Sequence, residues 1–395
     1  MSSDSETLPI WARPEAFDQA SEGWGWVDRK GRPHECRDFD DLYTSIVSDA
    51  GARVDLVWTP ANDFVVLPEE VPELLPALKE ARVRWAEWDI SEGQRQMVVF
   101  GMFIAVFVGY SYFTKRELIA FGPLGLALLL FLILGFLPWY QGKKRLRRAH
   151  KAIAEDLKPV DLEGLRFEVW LQHQKAPWTR LLVGLIGAVA LVQVVGPGSM
   201  AQDLQAAALW KVDGRPVDWW RLATAPFMHG HWVHFLMNAM ALVYLGRRVE
   251  LLARWPHMVA VFVFAAWAGG EATARYGPQG AFSLGASGGI IGLLGFLMVF
   301  ESMHSTLVPE SVRRRLLAGL FMTAALGMVG YKVIDNWAHG GGLVAGMIYA
   351  FFVFPKSASP HRPVMSSTDA WVGRVAMLTC ILAAVWTVWC LFLAS

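Results

Sequence analysis

Three groups of polar side chains interrupt otherwise apolar runs of this sequence, and each suits acyl-transfer chemistry. Gly285-Ala286-Ser287-Gly288-Gly289 sets a serine among glycines at the head of an apolar run that ends at Glu301. A helix beginning there leaves its first N–H groups without intrahelical acceptors, which is the arrangement that stabilises an oxyanion, and flanking glycines admit a peptide backbone. Taken alone, the same residues are better described as a serine in a helix-packing glycine motif. Asn336-Trp337-Ala338-His339 opens a later run, with Gly342 and Gly346 at i+3 and i+7. His339 shares a face with those glycines, and Gly288, Gly292 and Gly295 form a matching face. Two such helices can pack with their backbones close, which permits an imidazole to meet the serine hydroxyl. The bland counterpart is a hydrogen-bonded structural histidine. In the third group, His234 and Asn238 stand one turn apart and offer two donors to the negative oxygen of a tetrahedral intermediate. His229, His231 and His234 lack the spacing of the helical zinc-protease motif and have no carboxylate nearby, so no metal site and no cofactor is expected.

The elements that must position these groups are membrane helices. The chain has 395 residues, 54% of them hydrophobic, with 19 Trp. Apolar stretches recur at 98–113, 118–140, 181–196, 233–246, 257–270, 287–300, 316–331, 336–354 and 371–394, and predict nine spans. The run from 287 is short, so its helix starts below the membrane surface, where only protein or a wet cavity can serve its N–H groups. Lys143, Lys144, Arg145, Arg147 and Arg148 precede the third span. Arg247, Arg248 and Arg254 follow the fourth, and Arg313, Arg314 and Arg315 precede the seventh, so all three clusters fall on one side. That side is expected to be the cytoplasm, which makes the N-terminus cytoplasmic; Lys115 and Arg116 in the first outer turn count against it. The N-terminus lacks a basic segment followed by an apolar one, so no cleavable signal is expected. A net charge of +1 without a basic aromatic face excludes a nucleic-acid partner, and Cys36, Cys380 and Cys390 are too scattered for a disulfide framework.

Together, His229-x4-His234-x3-Asn238, Gly285-x-Ser287-Gly288 and Ala338-His339-x2-Gly342-x3-Gly346 resemble, in order and spacing, the motifs of the rhomboid intramembrane serine proteases. Trp220-Arg221 in an outer loop, and Gly246 with Glu250 at the inner end of the fourth span, are similar to structural motifs of that family. The resemblance covers residues 181–354. It implies a six-helix core in which Ser287 attacks the scissile carbonyl, His339 takes its proton and no acid completes a triad. It also implies an oxyanion hole of the Ser287 N–H, His234 and Asn238. His229, Trp220, Arg221, Glu250, Gly285, Gly288, Gly342 and Gly346 are then structural, and 197–220, with Leu204, Leu209 and Trp210, is a half-submerged loop. Ile291 departs from the pattern: it stands where the family often has an aromatic ring packed on the catalytic histidine.

The expected fold is an all-α polytopic membrane protein with a small soluble α+β domain. Residues 1–97 form that cytoplasmic domain, 98–140 two added spans, 141–178 a basic linker, 179–356 the rhomboid-like core, and 357–395 a linker with one added C-terminal span. Within 1–97, Gly23-Trp24-Gly25-Trp26 and Lys30-Gly31-Arg32-Pro33 punctuate a hairpin. Leu74, Leu75, Leu78, Ala81 and Trp85 give 70–88 the spacing of an amphipathic helix. The expected function is cleavage of single-span or other transmembrane substrates in a bacterial cytoplasmic membrane. Two rivals stand beside it. One is an α/β-hydrolase, whose G-x-S-x-G pattern occurs here but needs a strand before the serine; the other is a non-catalytic membrane protein that binds or escorts client helices.

Overall fold

The computed structural model describes residues 7–114, 123–151, 161–196, 198–212, 216–331 and 334–394. Lys115, Arg116 and the first residues of the 118–140 run lie outside them. The chain divides into two compact units, one of residues up to His173 with the stretch Ala324–Lys332, the other of Gln174–Thr323 with 333 onward.

In the first unit, β1 (Trp24–Asp28) pairs antiparallel with β2 (Pro33–Cys36) and with β3 (Val54–Trp58), in the order β2-β1-β3. Asp28 builds the connecting turn: one carboxylate oxygen accepts the Lys30 and Arg32 N–H groups at 2.9 Å each, and the other accepts Arg32 Nε at 2.8 Å. Asp38 caps α1 (Phe39–Val47) by accepting the Asp41 N–H. The sheet and α1 bury Trp26, Leu42, Ile46 and Val57 against Leu74, Leu75, Leu78 and Ala81.

Those last residues open α2 (Leu75–Thr114), a single helix of 40 residues. The sequence suggests an amphipathic helix over 70–88 and a separate span from 98; no proline falls between them, so one helix carries both. The returning limb of this hairpin is α3 (Pro123–Leu130), a π-helical turn at Phe131–Phe136, and α4 (Leu137–Lys151). The expected linker 141–178 also contains α5 (Leu162–His173), which docks on the N-terminal domain. Arg166 donates to both oxygens of Glu70, at 2.6 and 2.9 Å, and to the carbonyls of Trp11 and Arg13, while Phe167 meets Trp11 edge to face.

The second unit comprises α6 (Pro177–Val195), α7 (Met200–Ala207), the short strand β4 (Leu209–Trp210), α8 (Arg221–Thr224), α9 (Trp232–Ala253), α10 (Trp255–Tyr276), β5 (Phe282–Ser283), α11 (Ser287–Met303), α12 (Glu310–Val329) as far as Thr323, α13 (Asn336–Val353) and α14 (Ser367–Ala394). Among the described residues, α2, α6, α10 and α14 are long and apolar enough to cross a membrane, and α11 is a shorter apolar helix. Glu250 of α9 reaches the uncapped start of α6: it accepts the N–H groups of Trp178 (3.2 Å) and Thr179 (2.8 Å) and the Thr179 hydroxyl (2.7 Å). A buried carboxylate at a helix N-terminus satisfies orphan donors and opposes the helix dipole. Arg248, counted among the topology-marking cations, is fully buried and pairs through two nitrogens with Glu301 of α11, at 2.7 Å for Nη2. The C-terminal helix α14 packs on α10, α6 and α7, so the added span belongs to the body of this unit.

Candidate active site

A close helix seam in the second unit joins α11 to α13. A Cβ on Gly342 would overlap the carbonyl of Gly288, and one on Gly346 that of Gly292, so both glycines are needed for this approach. The seam ends at the N-termini of both helices, where the Ala338 carbonyl lies 3.4 Å from the place a Gly288 Cβ would take. Ser287 and His339, the next residues along, are thereby brought to one end of the seam. Among the described residues no hydrogen bond links them. Unliganded enzymes often hold such pairs long or misaligned until substrate enters.

Ser287 is the first residue of α11. The first N–H with an intrahelical acceptor is that of Ile290, to Ala286 at 3.0 Å, which leaves those of Ser287, Gly288 and Gly289 unused within the helix. The segment before Ser287 is fixed from three directions. β5 pairs with β4, with Trp210 stacked on Phe282; the Gly285 N–H donates to the Ala225 carbonyl at 2.9 Å; and the Ser283 hydroxyl donates to Asp335. Gly285 has φ of +112°, and a Cβ there would come within 2.7 Å of the His234 ring and 3.3 Å of Asn238 Nδ2. This glycine is required twice over, by its backbone conformation and by the two side chains beneath it.

His234 and Asn238 of α9 therefore lie directly under the loop that carries the serine. Asn238 is buried, and its Nδ2 is 3.0 Å from His229 Nε2. His229 Nδ1 faces the Phe227 carbonyl at 3.3 Å and so must be the protonated nitrogen. Nε2 of a neutral ring is then an acceptor, which fixes Asn238 as the donor and turns its amide N–H groups toward this side. Gln193 of α6 holds His229 in place, accepting its N–H at 2.9 Å and donating to its carbonyl at 3.2 Å. His231 caps α9 through Nδ1, which accepts the Val233 N–H. The three histidines thus serve separate tasks, and among the described residues no group of His, Cys, Asp and Glu could hold a metal ion.

His339 lies in electrostatic range of Asp335 and His234. Its Nδ1 is buried and meets no hydrogen-bond partner among the described residues, so no carboxylate orients the ring from behind. Asp335 is engaged elsewhere: it caps α13 by accepting the Trp337 and Ala338 N–H groups at 3.1 and 2.9 Å, and takes the hydroxyls of Thr273 (2.7 Å) and Ser283. Its position just before an apolar helix is the capping signal, whereas its hold on the nucleophile loop cannot be read locally. Ile291 is half-buried on α11, and no aromatic ring stacks on His339 among the described residues.

Trp220 and Arg221 lie on the loop side of the site. Arg221 donates to the carbonyls of Ala208 (2.7 Å) and Gln205 (2.8 Å) and to Asp218 (3.0 Å), with its guanidinium 4.5 Å above the Trp220 ring. It ties the end of α7 to α8 and so supports Ala225, the acceptor for Gly285.

The sequence from 216 to 356 matches the rhomboid domain model, a range that contains Ser287, His339, His234, Asn238 and His229. The chain belongs to the rhomboid family. This rhomboid is an integral membrane protein, mostly helical, as its apolar helices require. It is similar to RHOMBOID-like protein 6, mitochondrial, of Arabidopsis thaliana, with 29% identity over 178 residues, 44% of this chain and 57% of that one. RHOMBOID-like protein 4 of the same plant is 24% identical over 197 residues, covering 47% and 50%. Inactive rhomboid protein 1 of Rattus norvegicus is 29% identical over 142 residues, covering 35% and 16%. The chain spans about half the length of the plant relatives it matches. Matches to plant and mammalian proteins give no support to the bacterial membrane expected from the sequence.

Proposed function

We propose that this rhomboid is an intramembrane serine endopeptidase that cleaves transmembrane segments of other membrane proteins, with Ser287 as nucleophile and His339 as general base. The observation that carries the reading is the convergence at one end of the glycine seam: a serine at an open helix N-terminus, an imidazole on the adjoining helix start, and His234 and Asn238 under Gly285. Substrate enters as an extended segment beside Gly285 and Gly288. Ser287 Oγ forms a bond to the scissile carbonyl carbon as its proton passes to His339. The carbonyl oxygen becomes the oxyanion, held by the Ser287 N–H, His234 and the Asn238 amide. His339 then gives the proton to the departing amine, and a water activated by the same ring hydrolyses the acyl-enzyme. Nine spans carry the chain, with the N-terminal domain on the side of the basic clusters, which is the cytoplasm by the positive-inside bias.

The test is labelling of the purified protein in lipid by a mechanism-based serine-hydrolase probe. Wild type is expected to label, and Ser287→Ala and His339→Ala are expected to lose the label while remaining folded. Absence of labelling in folded wild type, beside a labelled membrane serine protease, would move the reading to a non-catalytic rhomboid that binds client helices.

A further inference from the structure

The α2–α4 hairpin carries a cleft that the protease reading leaves unused. It opens between the two helices near their charged ends, with a volume of about 1170 Å3, and Trp85, Trp139 and Tyr140 supply its aromatic walls. Seven of its lining side chains are cationic (Arg82, Lys143, Lys144, Arg145, Arg147, Arg148 and Lys151) and one, Asp89, is acidic. Arg145 neutralises Asp89 at 2.8 Å, and Arg82 pairs with Glu69 at 3.4 Å. Lys143 lies 4.1 Å above the Trp139 ring. Lys144, Arg147, Arg148 and Lys151 have no acidic partner among the described residues, so the cleft holds uncompensated positive charge.

Its depth identifies the anion. The apolar part of α2 starts at Met97, which abuts Gly135 of the returning helix. Trp139 lies one turn beyond Gly135 and Lys143 two turns, about 6 and 12 Å along the axis. The headgroup layer of each leaflet is roughly 5–8 Å thick, so Trp139 and Tyr140 stand within it and Lys143 and Lys144 just outside. Helical side chains lean toward their own N-terminus, which for α4 is toward the bilayer. The lysine and arginine heads are therefore directed back at the layer where lipid phosphates lie. Above this level α2 and the returning helix present Phe103, Val106, Leu132 and Phe136 outward, a surface fit for acyl chains. A soluble anion would find the charge but would have no use for that continuous apolar wall.

We infer that the cleft between α2 and α4 binds the headgroup of an anionic phospholipid, the phosphate held by Lys143, Lys144 and the arginines of α4 with Trp139 and Tyr140 flanking it. The site anchors the N-terminal hairpin at a defined depth and is independent of Ser287 chemistry. The rule that clustered cations at a membrane boundary select anionic lipid applies here to a formed cleft with aromatic walls.

The test uses the full chain reconstituted in phosphatidylcholine containing one-fifth phosphatidylglycerol, then extracted in mild detergent and weighed intact by native mass spectrometry. Wild type is expected to retain phosphatidylglycerol over phosphatidylcholine in a ratio at least about tenfold above the ratio of the two in the bilayer. The triple variant Lys144→Gln, Arg147→Gln, Arg148→Gln is expected to lose that enrichment. A charge-matched variant on the second unit, Arg314→Gln, Arg315→Gln, Lys356→Gln, is expected to keep it. All three positions of each variant are exposed, so folding is preserved, and retained serine-probe labelling or an unchanged circular dichroism spectrum verifies it. Equal losses in the two variants, or no enrichment in wild type, would overturn the site. Displacement of the lipid by millimolar inorganic phosphate would overturn its assignment to lipid.

Discussion

Of the helix pairs that glycines bring into close backbone contact, α11–α13 and α2–α4 put that contact to opposite uses. In α11–α13 the glycines run to the N-termini of both helices, so the point of closest approach carries a serine, a histidine and open N–H groups. In α2–α4, Gly93, Gly135 and Gly142 bring the two helices together, and among and beyond them the helices carry Trp, Lys and Arg around a cleft. Small residues decide how near two helices come; what stands at the end of the seam decides what the nearness does. On the proposed function the first seam must be rigid to hold a reacting geometry, whereas the second, on the inferred lipid site, need only keep a charged mouth open at a fixed depth.

The largest effect that would break this comparison is steric. Gly346→Val forces branched carbons into the Gly292 carbonyl, where no flexible side chain can yield. It is expected to abolish serine-probe labelling and to lower resistance to unfolding in sodium dodecyl sulfate by about 3 kcal/mol or more. Gly135→Val in the other hairpin meets Met97, partly its flexible side chain, and should leave serine labelling intact while reducing phosphatidylglycerol retention. Loss of serine labelling in Gly135→Val would show that the two seams are not separate devices.

A sharper probe is the pair Asn238 and His229 at the proposed oxyanion site. Asn238→Ala removes a buried donor next to Gly285 and should lower turnover of a transmembrane substrate about 10²–10³-fold with the fold retained. His229→Ala leaves Asn238 in place but frees its amide, and should give a smaller fall. An equal fall in both would mean that His229 does more than orient, and no fall in Asn238→Ala would remove it from the oxyanion hole.

How much of this was legible in the sequence follows from the range of the interactions involved. Ser287, His339, His234 and Asn238 could be singled out because residue type, local spacing and position at helix starts carry the signal. The seam glycines were equally visible, since a period of three to four residues marks one face of one helix. The hold of Asp335 on Ser283, 52 residues away, and of Arg166 on Glu70, 96 residues away, depends on packing that no local window contains. For the same reason 162–173 reads as linker although it is a docked helix. The burial of Arg248 against Glu301 was hidden too, because a cation at the end of a span normally marks the cytoplasmic face. The continuity of α2 was missed for a different reason: a change from amphipathic to apolar pattern suggests two elements, but only a breaker ends a helix.

A smaller effect is expected at Glu250, which lies between the two regions in kind, being buried and charged but remote from chemistry. Glu250→Gln keeps one acceptor for the start of α6 and turns an N–H toward the remaining donors. The expected cost is about 1–3 kcal/mol, read as earlier unfolding in sodium dodecyl sulfate, with labelling of Ser287 retained in the folded fraction. An unchanged midpoint would mean that water or Thr179 itself takes over the cap.

The smallest predicted effect lies in the N-terminal domain and tests whether that domain answers to solution pH as a soluble unit would. Burial works against the charged form of Asp28, but hydrogen bonds from the Arg32 and Lys30 amides and the Arg32 side chain prevail and hold its carboxyl well below the usual carboxylate range. A carboxylate whose folded value is depressed binds protons more readily in the unfolded chain. It therefore contributes stability in full above its unfolded value of about 3.9 and loses it as pH falls from there toward the folded value. Asp28→Asn removes the charge while keeping one acceptor, and at neutral pH is expected to cost the domain about 1 kcal/mol. Below about pH 4 the gap between wild type and variant should narrow, because the unfolded wild-type chain takes up a proton that the folded carboxylate still refuses. The measurement is amide exchange across β1 and β2 in both proteins between pH 3 and pH 7, with protection corrected for intrinsic rates. A gap that persisted unchanged at pH 3 would place the effect of the substitution in turn geometry instead of charge, while narrowing of the gap would tie the hairpin to the ionised carboxylate that its three donors are built to receive.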